Sequence, residues 1–152
     1  MLVDSALRVL LRAGHCLTKA SWFGRRRERF GVHALALTPQ GKVILLKLRH
    51  ARGWRLPGGG RREKEAPREA VLRELREEIG MISYGTINVA CELAEDVGPT
   101  RDLVSLFIVR DVEYRLRWSW EVEDVMEAAL DALPNDFSPR MAHSLRALRP
   151  KL

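Results

Sequence analysis

Cysteine is scarce in this 152-residue chain, and long apolar runs are missing from it. Cys16 and Cys91 stand far apart with no other metal-type ligands beside them. That argues against a disulfide framework or a cysteine-bound zinc, and for two reduced thiols in a cytoplasmic protein. No stretch approaches the eighteen or so apolar residues of a membrane-spanning helix. The opening "MLVDSALRVLLRAGHCL" is apolar but broken by Asp4, Arg8 and Arg12, with no small-residue cleavage site after it, so no secretory signal is expected. Internal repeats, low-complexity tracts and linkers are lacking too.

What is present is the balance of one ordinary folded domain, 46% apolar and 30% charged. The net charge of +6 favours anionic partners such as nucleotides, nucleic acid or an acidic surface. Its densest cluster is "GRRRER", Gly24 to Arg29, a solvated segment or a phosphate contact. Leu2, Ala6, Val9, Leu10, Ala13 and Leu17 recur at spacings of three and four. They predict an amphipathic helical extension over residues 1–23, able to pack on the domain, on a second subunit as a homodimer contact, or on a membrane surface. The domain proper is then 24–152.

Within it, Val32–Leu37 and Val43–Leu48 read as a hairpin about the turn residues "TPQGK". A short strand at Trp54–Leu56 is broken by Pro57 and three glycines. A helix begins near Ala66, with Pro67 in its first turn, and stops at Gly80. Strand-like stretches follow at Ile82–Leu93, Leu103–Val112 and about Tyr114–Met126. "ALDALP" is a short helical turn closed by Pro134. Ser138 and Pro139 then open a last helix. The fold class is α+β.

The helix after Ala66 poses a physical problem. At about 100° per residue, Glu78 lies about 40° from Glu74 and Glu77 about 60° to its other side. Three carboxylates thus share one narrow face, while Leu72, Leu75 and Ile79, with Val71 at the edge, form an apolar stripe roughly 115° away. Glu69, Arg73 and Glu77 at four-residue steps fit an ordinary surface helix. The like-charged pair Glu74–Glu78 does not, since it costs roughly 0.2–0.5 kcal/mol unless something compensates. A hard divalent cation such as Mg²⁺ would compensate.

The full spacing is Gly59, five residues, Glu65, seven residues, then Arg73-Glu74-Leu75-Arg76-Glu77-Glu78-Ile79-Gly80-Met81. It resembles the Nudix box at every fixed position, and a chance match is about 10⁻⁸ per window when seven residue types each occur roughly once in fifteen. "GWRLPGGG" is similar to the family's preceding strand and loop, and "EVEDVMEAALDALP" to its late strand and turn. About Gly31 to Pro134 is covered.

The resemblance implies an α/β/α sandwich with a mixed sheet between helices, and Mg²⁺-dependent hydrolysis of a phosphoanhydride in a nucleoside diphosphate derivative, Mn²⁺ being the other candidate ion. It implies Glu74, Glu77 and Glu78, with the Gly58 carbonyl, as metal ligands. Arg73 would orient a carboxylate, Glu65 would support the loop–helix junction, and Glu121 would be a further metal-binding or basic acid. Glu74 and Glu121 are the two candidates for general base. Arg55 and Arg61, with Arg49, Arg52 and Arg62, are candidates for holding phosphates or for a solvated rim.

Two other functions remain open: removal of phosphates from an RNA 5′ end, which only the basic charge suggests, and nucleotide sensing without catalysis, against which the intact acids weigh. The chain departs from the family at Lys64, where a glycine is usual; a positive φ there would strain lysine. Trp54 and Trp120 are core strand residues or stacking surfaces for a base.

Overall fold

The structure, a computed structural model, describes residues 28–151, so the helical extension over 1–23 and most of the "GRRRER" cluster lie outside the described residues. Nine strands and two α-helices follow: β1 (Glu28–Ala36), β2 (Val43–Leu48), β3 (Trp54–Arg55), β4 (Gly58–Gly60), α1 (Pro67–Ile79), β5 (Met81–Ser83), β6 (Thr86–Val97), β7 (Thr100–Arg110), β8 (Glu113–Tyr114), β9 (Val122–Ala128) and α2 (Pro139–Leu148).

Alternation along the central strands builds two cores. On β1, Val32, Ala34 and Ala36 face one way with Ile44 and Leu46 of β2, Phe107 and Val109 of β7, and Ala70, Val71, Leu75 and Ile79 of α1. Leu35, with Leu45, Leu106 and Ile108, faces the other way onto Met141, Leu145 and Leu148 of α2. Strands buried on both faces read as continuous apolar runs, which is the pattern of β1, β2 and β7. The result is the α/β/α sandwich. The four-stranded sheet β4-β1-β7-β6 is mixed: β1 runs parallel to β7 from Glu28↔Arg101 to Ala36↔Val109, and the other strand pairings are antiparallel.

Several sequence-based expectations change. β1 and β2 meet only at Leu37↔Val43, around a turn in which the Thr38 N–H donates to the Lys42 carbonyl at 2.9 Å. The hairpin does not propagate because β4 and β7 occupy both edges of β1, and β3 and β9 both edges of β2. The short strand β3 does end before Pro57, but the glycine run is itself a strand, with Gly58–Gly60 paired to Gly31–His33. The stretch Ile82–Leu93 splits at Tyr84–Gly85 into β5 and β6, where a Cβ on Gly85 would fall 2.5 Å from Asp111 Oδ2. The third expected strand is β8, an irregular segment at 115–121, then β9. "ALDALP" closes one turn through the Ala132 N–H to the Ala129 carbonyl, and Ser138 precedes α2 without a side-chain cap bond.

The apolar stripe of α1 is rotated from its expected centre. Val71 and Leu75 are fully buried, Leu72 is only partly so, and Glu78 lies inside the buried face at 8% exposure. Leu75→Ala is expected to lower stability by about 2–5 kcal/mol in urea unfolding, and Leu72→Ala by less than half as much. Equal losses would place the stripe where the helical wheel alone put it.

Candidate active site

Helix α1 is fixed at both ends by local chemistry. Pro67 opens it, where a missing N–H costs nothing, and the Ala66 N–H donates to Glu69 Oε2 at 3.4 Å. Gly80 closes it in the left-handed conformation, φ 68°, its N–H donating to the Arg76 carbonyl. A Cβ there would also meet the Arg115 carbonyl oxygen at 2.1 Å, so only glycine permits this approach of the 115–121 segment.

Between these ends, Arg73 holds the site together. Its Nε donates to Glu65 Oε1 at 2.8 Å and Nη2 to Glu65 Oε2 at 3.0 Å, a bidentate pair. Nη2 also donates to the Gly60 carbonyl at 2.9 Å. Nη1 donates to Glu74 Oε1 at 2.7 Å and to Glu77 Oε2 at 3.2 Å. Every N–H of the guanidinium thus has an acceptor. Loop and helix acids are bound to one planar cation, whose pKa is raised chiefly by the bond to Glu65.

The three acids of the box differ in their surroundings. Glu77 is exposed and also accepts from Arg62 Nη2 at 3.3 Å. Glu74 lies against the glycine strand, so that a Cβ on Gly59 would sit 2.7 Å from its Oε1. Burial raises its pKa, with Glu77 and Glu121 adding to the rise against Arg73. Glu78 accepts the Gly58 N–H at 2.8 Å. Burial pushes its carboxyl up to about 8, opposed by that N–H and reinforced by the charges of Glu74 and Glu121. Glu121, exposed just before β9, is therefore close enough for its charge to act on both acids.

This donor set fits a hard dication. Glu78 is enclosed and crowded by Glu74 and Glu121 with a backbone N–H as its hydrogen-bond donor, and oxygen-only ligands suit Mg²⁺ or Mn²⁺. Among the described residues, no three acidic, histidine or cysteine side chains already converge at metal-ligand spacing.

The other expected residues fall nearby with different attachments. Arg55 extends from β3; burial lowers its pKa against the charge of Glu78, and its Nε is buried with no hydrogen-bond partner. Arg61 folds back, Nε and Nη2 donating to the Glu65 carbonyl at 3.1 and 2.9 Å, and its guanidinium lies 5.3 Å from the Phe30 ring centre. Trp54 is half-buried in the second core, whereas Trp120 is exposed.

His33 was missed by the sequence reading. It is half-buried on β1 opposite Gly58 with its Nδ1 enclosed, and burial, with Arg55 and Arg140, lowers its pKa to about 4. A Cβ on Gly58 (φ 145°) would sit 2.6 Å from its Nδ1, so this neutral ring forms the wall behind the Glu78 anchor. A lone histidine among apolar residues carried no signal of that role.

Lys64 adopts the left-handed conformation that favours glycine, φ 63°, so the lysine bears the strain. Left-handed backbone costs a side-chain-bearing residue about 1–2 kcal/mol. Lys64→Gly is therefore expected to stabilise the fold by up to about 1 kcal/mol in thermal unfolding, after the added freedom of the unfolded chain.

Glu65 gives a pH signature. Its bonds from Arg73, then from the Arg62 N–H, hold its carboxyl down at about 2, against an ordinary 4.5. The unfolded chain takes up the proton first, so this contribution is complete above about pH 4.5 and fades as pH falls toward 2. Urea midpoints of the native chain should drop through that window, and those of Glu65→Gln should drop less. Parallel curves would contradict the assignment.

A family model for the NUDIX domain matches residues 27–148. An RNA pyrophosphohydrolase of Hydrogenovibrio crunogenus is 40% identical over 53 residues, 35% of this chain and 32% of that protein. The matched segment thus spans about a third of that relative's length. Among solved structures, the MutT NUDIX hydrolase from Burkholderia pseudomallei superposes with a TM-score of 0.68 at 24% identity, covering 80% of this chain and 98% of that one. The MutT protein from Methanosarcina mazei Go1 does so at 0.66 and 23%, covering 83% and 96%. These two show a shared fold.

Proposed function

The chain belongs to the NUDIX family, and from that premise we propose that it hydrolyses the phosphoanhydride bond of a nucleoside diphosphate derivative with Mg²⁺ or Mn²⁺. The observation that carries this reading is the buried Glu78 carboxylate, held by the Gly58 N–H and crowded by Glu74 and Glu121. A folded protein keeps such a group at a cost, and a dication removes the cost. Glu74, Glu77 and Glu78 would hold the ion with the Gly58 carbonyl. Once bound, it supplies charge neutralisation on phosphate oxygens and a lower pKa for water.

The chain's own residues do the rest. Arg73 fixes Glu74 and Glu77 relative to the glycine strand, so the acids meet the substrate already arranged. Glu74 and Glu121 flank Glu78, and one of them takes the proton of the attacking water on a carboxylate oxygen. Arg55, close enough to Glu78 for their charges to act on each other, is the candidate guanidinium for a phosphate. Arg61 has Nε and Nη2 engaged by the loop, which leaves Nη1 for an anion.

A second reading has a specific observation behind it. The relative from Hydrogenovibrio crunogenus is named an RNA pyrophosphohydrolase, and this chain carries a net charge of +6. Its substrate would be a phosphorylated RNA 5′ end.

A panel of nucleoside diphosphate derivatives and a triphosphate-ended oligoribonucleotide, each with Mg²⁺ or Mn²⁺, tests both. Native turnover should vanish with chelator, and Glu77→Gln, an exposed and fold-neutral change, should lower it about 100-fold or more. Preference for the RNA, with a steep loss between about 50 and 200 mM salt, would select the second reading. Equal rates for native and variant would reject the role of Glu77.

A further inference from the structure

The segment between β8 and β9 carries "RLRWSW", Arg115 to Trp120, and leaves Trp118 at 69% and Trp120 at 60% exposure. Tryptophan rarely faces water so fully without a partner. The segment is not loose. At its start the Arg115 N–H donates to the Gly80 carbonyl at 3.0 Å, which ties it to the end of α1. At its end Ser119 Oγ accepts the N–H groups of Glu121 and Val122, each at 3.2 Å, and the Arg49 N–H donates to the Glu121 carbonyl at 2.9 Å. Trp118 and Trp120 brace each other, ring centres 4.3 Å apart and planes at 77°. An edge-to-face pair covers one face and leaves another open.

The same segment walls a hollow of about 180 Å³ whose lining includes Glu78 together with Arg49, Arg117 and Trp118. Buried carboxylate, guanidinium groups and an open indole thus line one cleft. Building on the hydrolytic reading above, we infer that the Trp118–Trp120 pair is the platform on which the substrate's nucleobase stacks, with Arg117 beside it for the phosphate chain. The ligand chemistry is an aromatic base joined to a 5′-phosphoanhydride, as in a free nucleotide derivative or an RNA end. Glu123 and Asp124 also line the hollow, but Asp124 accepts the Val125 N–H at 2.8 Å and Glu123 has a partner of its own. Recognition therefore rests on the π-face, which every base has, and discrimination between bases is weak.

Calorimetric binding of α,β-methylene nucleoside diphosphates carrying each of the four bases, and of base-free methylenediphosphonate, tests this in the full chain. Native affinities for the four nucleotides should agree within about threefold, and all should exceed that for the base-free ligand by roughly 5- to 150-fold, the worth of one stacked base. Trp118→Ala should lose that margin for nucleotides and leave the base-free ligand unchanged, while Trp118→Phe keeps most of it. A triphosphate-ended oligoribonucleotide that gains tenfold or more over the free nucleotide, with the same loss in Trp118→Ala, assigns the RNA end as the source. Equal native affinity with and without a base overturns the inference. So does Trp118→Ala that dissociates a dimer or releases lipid vesicles with nucleotide affinity unchanged. Because the readout is binding, a chain that stacks nucleotides and hydrolyses none fails the hydrolytic reading alone.

Discussion

The site depends on one side chain saturating its hydrogen-bonding capacity. Arg73 donates to Glu65 on the loop, to the Gly60 carbonyl on β4, and to Glu74 and Glu77 on its own helix. Lysine has three donors around a single nitrogen and no planar fork, so it cannot span these acceptors. Without that bridge the acids of α1 would repel, and the loop between β4 and α1 would be joined to the helix through its ends and the exposed Arg62–Glu77 pair. The bonds also neutralise part of a charge cluster that the low-dielectric side of the helix would otherwise resist. Arg73 therefore joins loop, strand and helix acids through the same five N–H groups.

A gradient of burial follows along the helix. Glu77 faces solvent, Glu74 lies against Gly59, and Glu78 is enclosed with the Gly58 N–H as its donor. The glycines of β4 are what permit this closeness. A side chain at 59 would collide with Glu74, and one at 58 with the Val32 carbonyl and His33. The need for glycine thus arises from two strands and a helix converging on the carboxylates. Gly80 repeats the device at the far end of α1, admitting the Arg115 carbonyl and so bringing the tryptophan-bearing segment to the same cleft.

Much of this was legible in the sequence, because the relevant signals are local. Pro67 and Gly80 bound the helix, the period of its acids put them on one face, and the continuous apolar runs of β1, β2 and β7 marked the central strands. The family spacing named Arg73, Glu74, Glu77 and Glu78 together, and the structure brings them together with Glu121 nearby. What could not be read was set by distant partners. The hairpin of β1 and β2 failed because other strands claimed their edges. Glu78 entered the buried face because Gly58, twenty residues earlier, offers it an N–H. Leu116, Trp118 and Trp120 alternate with polar residues, which is the period of a strand, yet all three are exposed in an irregular segment held away from the sheet by Gly80 and Ser119. Lys64 shows the reverse case: a lysine takes the left-handed conformation against its own preference, next to a Glu65 that Arg73 holds in place.

The central claim is that Arg73 arranges these acids into a cradle for a divalent cation. Calorimetric titration of Mn²⁺ into the native chain and into Arg73→Lys, with far-UV circular dichroism to establish that both are folded, tests it most directly. The account predicts saturable binding by the native chain and affinity about 10–100-fold weaker in the variant, the scale seen when a group that orients metal ligands is lost. Undiminished Mn²⁺ affinity in a folded Arg73→Lys chain, or no binding by the native one, would contradict it.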